Sequence, residues 1–415
     1  MTQPDDPFAD EGLEPIAVPK GAKGKAVLAG IVPGEPDEGA DVDQALAYQS
    51  LNDDGNAQRF VVRLGEDFIY IRNVGWYFWD GARWNGEIGP DEAVKAGFKI
   101  ARAIKNEAKA LDVHPGKLTG AALRERVGRL FGWSVQSGNM ARVASMLAAS
   151  SKYLAKKVDD LGAMPFLLAA PNGTVRLGLH CELLVSERKD LLTRCLNAEF
   201  KSGADCPRFE KFVARVMPDE DLRGFLQRII GYCFTGSTRE QKFFMFYGTG
   251  RNGKSTLINV LRHIAGDYAM SSPISTFLAK REGNSGGEAS PDLARLPGAR
   301  IVTAAEPPEG ARLDESKLKE MTGGDPMTVR HLNQGFFEFR PIFKAIISTN
   351  HRPTIRGADY GIWRRVNLVP FTEQIRDDEV DPDLEQKLIA EAPGILQWIL
   401  TGVEEWFAVG LSPPK

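Results

Sequence analysis

The chain has little cysteine and histidine, almost no net charge and no long apolar run. Its four cysteines, Cys181, Cys195, Cys206 and Cys233, are irregularly spaced and include no Cys-x-x-Cys pair. That pattern argues against both a disulfide framework and a zinc site. The five histidines, His114, His180, His263, His331 and His351, are scattered, so no imidazole cluster for a metal is expected. No apolar stretch reaches the ~18 residues that span a bilayer, and the amino terminus is acidic where a secretion signal carries cations followed by an apolar run. A cytoplasmic protein is the expectation. With a formal net charge of -3, any binding to a polyanion has to come from local patches or from surfaces repeated around an oligomer.

What is present is a chain of 415 residues, 43% of them hydrophobic, enough for two or three domains with cores of their own. Residues 1–45 are rich in Pro, Gly, Asp and Glu and read as a disordered tail. Residues 46–205 read as a smaller α+β domain, largely helical; 206–376 as a nucleotide-binding α/β domain with a mostly parallel sheet; and 377–415 as a helical extension. In the smaller domain Phe60-Val61-Val62 and Phe68-Ile69-Tyr70-Ile71 are β-type runs split by the turn-prone Gly65-Glu66-Asp67. The run Trp76 to Trp84 predicts a β-hairpin turning at Asp80-Gly81. Its aromatics suit either a base-stacking platform or the core of a small domain. From Asp91 to about Asp160 the spacing is helical, Asn172-Gly173 signals a second hairpin, and residues 207 to 235 predict two amphipathic helices.

The decisive stretch is Phe243-Phe244-Met245-Phe246-Tyr247 leading into Gly248, Thr249, Gly250, Arg251, Asn252, Gly253, Lys254, Ser255 and Thr256. An apolar strand empties into a P-loop, and the helical spacing of Leu257, Val260, Leu261 and Ile264 comes directly after it. The glycines let backbone N–H groups converge on phosphate oxygens. Lys254 supplies a point charge for the terminal phosphates, and the Ser255 hydroxyl suits Mg²⁺. A nucleoside triphosphate, ATP with Mg²⁺, is the expected ligand. A P-loop alone leaves kinases, GTPases, transporters and helicases open.

The segments carboxyl-terminal to the loop narrow the class. Ile301 to Ala305 is an apolar strand delivering Glu306 at its end, where a carboxylate can polarise an attacking water and help organise Mg²⁺. Ile342 to Thr349 is a second continuous apolar run and predicts a central parallel strand. It ends in Asn350, whose amide suits sensing of a γ-phosphate. Between them Gly323 to Arg340 predicts two short strands around Asn333-Gln334-Gly335. That hairpin either serves the fold alone or offers Arg330, His331, Asn333 and Gln334 to a nucleic-acid backbone. Finally Trp363-Arg364-Arg365 precedes another apolar strand, and an arginine there can neutralise charge developing on a phosphoryl group held by a neighbouring subunit.

This order of motifs, with Lys317-Leu318-Lys319-Glu320-Met321-Thr322-Gly323-Gly324-Asp325 between the two strands, resembles a superfamily 3 helicase. More narrowly it is similar to the helicase part of the phage and plasmid primase-helicase family, related to the poxvirus helicase-primase. The likeness runs from about Asp67 to the end. It implies an AAA+-like domain in a hexameric ring, with ATP between subunits and single-stranded or forked DNA in the channel, translocating 3′ to 5′. On the matching positions Lys254 and Ser255 serve phosphate and Mg²⁺, Glu306 the water and Asn350 the γ-phosphate. Arg365, with Arg364 second, acts across the interface, and the segment after Asp325 contacts DNA. Many relatives place a lysine in the hairpin loop where this chain has Asn333-Gln334-Gly335, which turns attention to Arg330 and His331. Without a recognisable primase segment ahead of the motor, the expectation is unwinding without primer synthesis, with a separate primase as a partner. The competing expectation is a nucleotide-gated origin-binding or loading ATPase that assembles on DNA without unwinding it.

Overall fold

The computed structural model describes residues 42–161, 164–279, 291–307, 311–330, 336–350 and 360–414. These divide into two compact units, one formed by residues up to Trp79 together with Asn85–Lys157, the other by Asp80–Trp84 together with Val158–Lys415.

The first unit opens with α1 (Val42–Leu46), α2 (Asp53–Leu64) and strands β1 (Phe68–Ile71), β2 (Gly75–Trp79) and β3 (Trp84–Asn85). Three helices come next, α3 (Gly89–Val113), α4 (Gly120–Ser137) and α5 (Met140–Tyr153), and then the short β4 (Ala155–Lys156). Two sequence expectations are corrected here. The tail predicted for residues 1–45 overlaps α1, which buries Ala45 and Leu46; the residues before Val42 lie outside those described. Phe60-Val61-Val62 is helical, not a strand. The Asn52 side chain accepts a hydrogen bond from the Gly55 N–H at 2.7 Å, and Asp53 and Asp54 complement the positive end of the helix, so start signals outweigh the β-propensity of three residues.

The aromatic hairpin forms as expected. Asp80 N–H donates to Arg83 O at 3.1 Å, and the Asp80 carboxylate takes the Ala82 and Arg83 N–H groups. Half-buried Trp76 and Phe78 pack against the core of this unit, with Trp76 5.8 Å from Phe60 and 6.1 Å from Phe68, centroid to centroid. Burying such rings contributes more than their area alone. Below them, Arg59 and Glu107 are fully buried and paired at 2.8 Å, with Arg59 also donating to Leu46 O and Ser50 O.

The second unit begins with a three-stranded antiparallel sheet, β5 (Leu167–Ala170), β6 (Gly173–Arg176) and β7 (Glu182–Leu184). Helices α6 (Pro207–Val216) and α7 (Glu220–Phe234) lead to β8 (Phe243–Tyr247), α8 (Lys254–Ala265), β9 (Ala269–Ser271), α9 (Pro291–Ala294), β10 (Ile301–Ala304) and α10 (Glu315–Gly323). The chain closes with β11 (Met327–Val329), β12 (Phe337–Phe339), β13 (Lys344–Thr349), α11 (Tyr360–Trp363), β14 (Val366–Pro370), α12 (Leu384–Ile389) and α13 (Ala392–Val409). The division falls after Lys157 and not near Cys206. Leu168, Val175 and Leu196 share one core with Phe209, Leu226 and Ile399, so the Asn172-Gly173 hairpin packs with the second unit.

The main sheet has the order β14-β8-β13-β10-β9, and every pairing in it is parallel. Its strands read as continuous apolar runs because both faces are covered. Phe244 and Phe246 point into one core, Phe243 and Met245 into the other, as the period of two requires. Each such ring removed from water stabilises the fold by ~1.5–3 kcal/mol.

Candidate functional site

In a parallel sheet the carboxyl ends of neighbouring strands open at the same edge, where ligands bind. Tyr247 of β8 is level with Thr349 of β13, and Ile347 of β13 is level with Ala304 of β10. The residues just beyond these three strands, Gly248 onward, Asn350 and Glu306, are therefore side by side. This juxtaposition joins three segments spread over about a hundred residues of sequence.

Gly248 to Gly253 connect β8 to α8. A Cβ on Gly248 would sit 2.1 Å from Phe371 O, so only glycine lets the chain pass there. Gly250, Arg251 and Gly253 have φ of 36°, 47° and 77°, and successive N–H groups in such a loop face one concavity. Helix α8 starts at Lys254 with no side chain capping its first N–H groups. A helix start left open in this way suits an anion. The buried Asn252 amide holds the loop by donating to Phe371 O at 3.3 Å, and Arg251 pairs with Asp377. Ser255 is exposed and Thr256 half-buried at the same end of α8. Thr249 is exposed on the loop itself.

The Lys254 side chain is buried and its ammonium donates to Gly248 O and, at 3.3 Å, to Asn350 Oδ1. Burial pulls its pKa below the ordinary lysine value, and the negative charge of Glu306 opposes that shift. Asn350 completes the chain of contacts: its Nδ2 donates to Glu306 Oε2 at 2.8 Å and its backbone N–H to Oε1 at 3.2 Å. Cation, amide and carboxylate thus form one line across the ends of three strands, with Glu306 exposed. No group of three or more His, Cys, Asp or Glu residues gathers among the described residues. A site of one carboxylate and one hydroxyl fits Mg²⁺, which keeps several waters and takes the rest of its shell from phosphates. It does not fit a dedicated protein cage for metal.

The two arginines lie elsewhere. β14 is parallel to β8 with Val366 level with Phe243, so Arg364 and Arg365 stand at the amino-terminal edge of the sheet, about 16 Å of strand from Gly248. Arg365 is turned inward: only 8% exposed, it donates to Thr322 Oγ1 at 2.7 Å and to Lys319 O at 3.3 Å. Both bonds are made within its own chain. Arg364 is exposed, donates to Gln241 Oε1 at 3.4 Å, and adjoins the half-exposed Trp363. Of the two arginines read from the sequence, Arg365 is buried and Arg364 is the one exposed.

The predicted hairpin is present: β11 and β12 pair antiparallel with Thr328 opposite Glu338. Arg330 stacks over the exposed Phe336 ring at 4.9 Å. His331, Asn333 and Gln334 lie outside the described residues.

Two family models match the chain. One, described as D5 N terminal like, covers residues 57–218, and the other, a family of unknown function (DUF5906), covers residues 246–365. A "Putative helicase" of Acanthamoeba polyphaga mimivirus is 32% identical over 186 residues, 44% of this chain and 19% of that protein. A "Putative helicase" of Frog virus 3 is 34% identical over 164 residues, 39% of this chain and 17% of that protein. A "Putative primase" of African swine fever virus is 27% identical over 152 residues, 36% and 16% of the two chains. The chain spans less than a fifth of the length of these relatives. Among solved structures, the apo C-terminal region of NrS-1 is similar at 15% identity and a TM-score of 0.39, covering 53% of this chain and 54% of that one. The second matched segment begins at Phe246, one residue before β8 ends, and closes at Arg365. It therefore holds Lys254, Glu306 and Asn350 together.

Sequence reasoning missed Phe371 and Asp377, which hold the glycine loop from beyond β14. Neither carries a local signal. No helix among the described residues is long and apolar enough to cross a membrane.

Proposed function

We propose that this chain is an ATP-driven motor of DNA replication, a superfamily 3 helicase with an AAA+-like domain, working as a ring on single-stranded and forked DNA. The observation that carries the reading is the line Lys254, Asn350, Glu306 across three strand ends beside an uncapped helix start. The names of the viral relatives point the same way.

In this reading the N–H groups of Gly248 to Lys254 and the Lys254 ammonium hold the β- and γ-phosphates, with Thr249, Arg251 and Thr256 flanking them. Lys254 loses its bond to Gly248 O when a phosphate oxygen replaces it, and the lowered pKa costs nothing once that negative charge is adjacent. Ser255, with Glu306 through water, would hold Mg²⁺, which neutralises charge on the phosphates when bound. Glu306 orients the attacking water and accepts its proton. Asn350, already bonded to both Lys254 and Glu306, reports the presence of a γ-phosphate to the carboxylate. Arg364, at the far edge of the sheet, serves the cleft of an adjoining copy, and a hexamer is the ring size the resemblance implies. Arg330 and the hairpin it begins meet the strand in the channel.

The test is ATP hydrolysis and displacement of a labelled strand from a forked duplex by the purified chain. Lys254→Ala is expected to abolish both, and Glu306→Gln to abolish hydrolysis while nucleotide still binds. Hydrolysis that persists in Lys254→Ala would sink the assignment. Strand displacement also separates a motor from an ATPase that assembles on DNA without unwinding it.

A further inference from the structure

Helix α3 is the longest described, 25 residues from Gly89 to Val113. Its inward face is apolar, with Ala93, Ala96, Ile100, Ile104 and Leu111 buried. Its outward face carries Lys95, Lys99, Arg102, Lys105 and Lys109, all exposed. At ~100° per residue these five fall within an arc of about 120°. They form one ridge.

From Lys99 onward the ridge has no counter-charge, while Lys95 at its start is countered by Asp91 and Glu92. Between Ala93 and Leu111 the helix has a single carboxylate, Glu107, which is fully buried and paired with Arg59 at 2.8 Å and Arg63 at 3.0 Å. Lys95 pairs with Glu92 at 2.7 Å. Lys99, Arg102, Lys105 and Lys109 have no ion pair among the described residues, and Asp112, past the last of them, makes none either. Successive members stand at i,i+3 or i,i+4 spacing, where like charges destabilise a helix. A merely solvated face intersperses both signs, as Arg124 and Glu125 do on α4. The contrast is sharper because the whole chain is mildly acidic, at net -3.

We propose that this ridge of α3 binds the sugar-phosphate backbone of nucleic acid and gives the first unit a function of its own. From Lys99 to Lys109 it is about 15 Å long, the length of about four phosphates of one strand at ~3.4 Å each. Flexible ammonium groups read charge and spacing, not bases, and the one aromatic on this face, Phe98, is packed against the core of the first unit. The one apolar ring in the arc from Lys95 to Lys109, Phe98, is half-buried and packed against the core of the first unit, which favours a polyanion in solution over a lipid surface. The choice of nucleic acid among polyanions rests on the function proposed above.

The experiment uses the full chain with a non-hydrolysable ATP analogue and measures anisotropy of a labelled single strand and of a forked duplex between about 50 and 200 mM salt. Replacing Lys99, Arg102, Lys105 and Lys109 together by Gln is expected to flatten the slope of log affinity against log salt by about 3 on a single strand. DNA-independent ATP hydrolysis and helix content stay unchanged. The charge-keeping set Lys99→Arg, Lys105→Arg and Lys109→Arg keeps the slope. If the unaltered chain binds DNA and the Gln variant matches it in affinity and slope, the ridge is overturned while the motor stands. If the unaltered chain binds no DNA, the function proposed above fails and the ridge with it. If the Gln variant loses only binding to phosphatidylserine vesicles, the occupant is lipid and the proposal is wrong.

Discussion

Asn350 is the hinge of the candidate site, and its replacement by Ala isolates what it does. The substitution removes a charge-assisted bond to Glu306 Oε2 at 2.8 Å and a longer one to Lys254 at 3.3 Å, while the backbone N–H still reaches Oε1 at 3.2 Å. A hydrogen bond to a charged group contributes ~1.5–3 kcal/mol, and the long contact to Lys254 adds little. At ~1.4 kcal/mol per decade, kcat for ATP should fall about 10- to 100-fold. Nucleotide affinity should change less than about 3-fold, because the loop N–H groups and Lys254 stay in place. Single-turnover hydrolysis and titration with a fluorescent ATP analogue read the two separately. A second change, Asn350→Asp, removes the amide donor and sets a like charge about 3 Å from Glu306, and should lower kcat at least as far as Asn350→Ala. A kcat within 3-fold of the parent for Asn350→Ala, or an affinity loss larger than the kcat loss, would refute the coupling of amide to carboxylate.

Three further outcomes are expected from the same geometry. Arg364→Ala should lower hydrolysis at least 100-fold with the melting temperature and nucleotide affinity retained, whereas Arg365→Ala should lower the melting temperature by stranding Thr322 and the carbonyl of Lys319; differential scanning fluorimetry beside an ATPase assay separates them, and a swap of the two phenotypes restores the sequence-based order. Glu107→Ala leaves the fully buried Arg59 unpaired and should cost about 3–5 kcal/mol in urea unfolding monitored by Trp fluorescence; a loss below ~1 kcal/mol would show that the pair adds nothing. Burial lifts the thiol pKa of Cys181 and Cys195 to about 11 and of Cys206 and Cys233 to about 12. The unfolded thiols ionise near ~8.5, so the folded chain holds more protons above that pH, and stability that is whole below it drains away as pH rises toward 11–12. A melting temperature flat from pH 8 to 11 would contradict this.

The sequence carried the strands and the chemistry of the site further than it carried their arrangement. Phe243 to Tyr247, Ile301 to Ala304 and Lys344 to Thr349 announce themselves as apolar runs because both faces of a parallel strand are buried. Their register does not, since it depends on pairings between residues far apart in the chain, and that register is what makes Lys254, Asn350 and Glu306 neighbours. Locally, the errors have identifiable causes. Phe60-Val61-Val62 reads as a strand by side-chain type, yet Asn52-Asp53-Asp54 before it is a legible helix start. The unit boundary moves from Cys206 to Lys157 because the β5-β6-β7 sheet contributes Leu168, Val175 and Leu177 to the larger core, and shared burial leaves no mark in a linear pattern.

The arginine pair shows most clearly what a sheet adds to a motif. Composition makes Arg364 and Arg365 equivalent, and the resemblance ranks the second first. In the fold both lie in the turn just before β14, where the Arg365 side chain is buried and that of Arg364 exposed. Arg365 spends its donors on Thr322 and Lys319, which ties α10 to the sheet edge. Arg364 lies about 16 Å of strand from the glycine loop of its own chain, too far to reach a phosphate held there. Under the proposed function, the one cleft this exposed guanidinium can complete belongs to another copy, and a monomer should bind nucleotide while hydrolysing it poorly. Hydrolysis per chain that rises with protein concentration, in step with particle mass, is the expected behaviour; a rate independent of concentration at a constant monomer mass would remove the basis for a shared cleft.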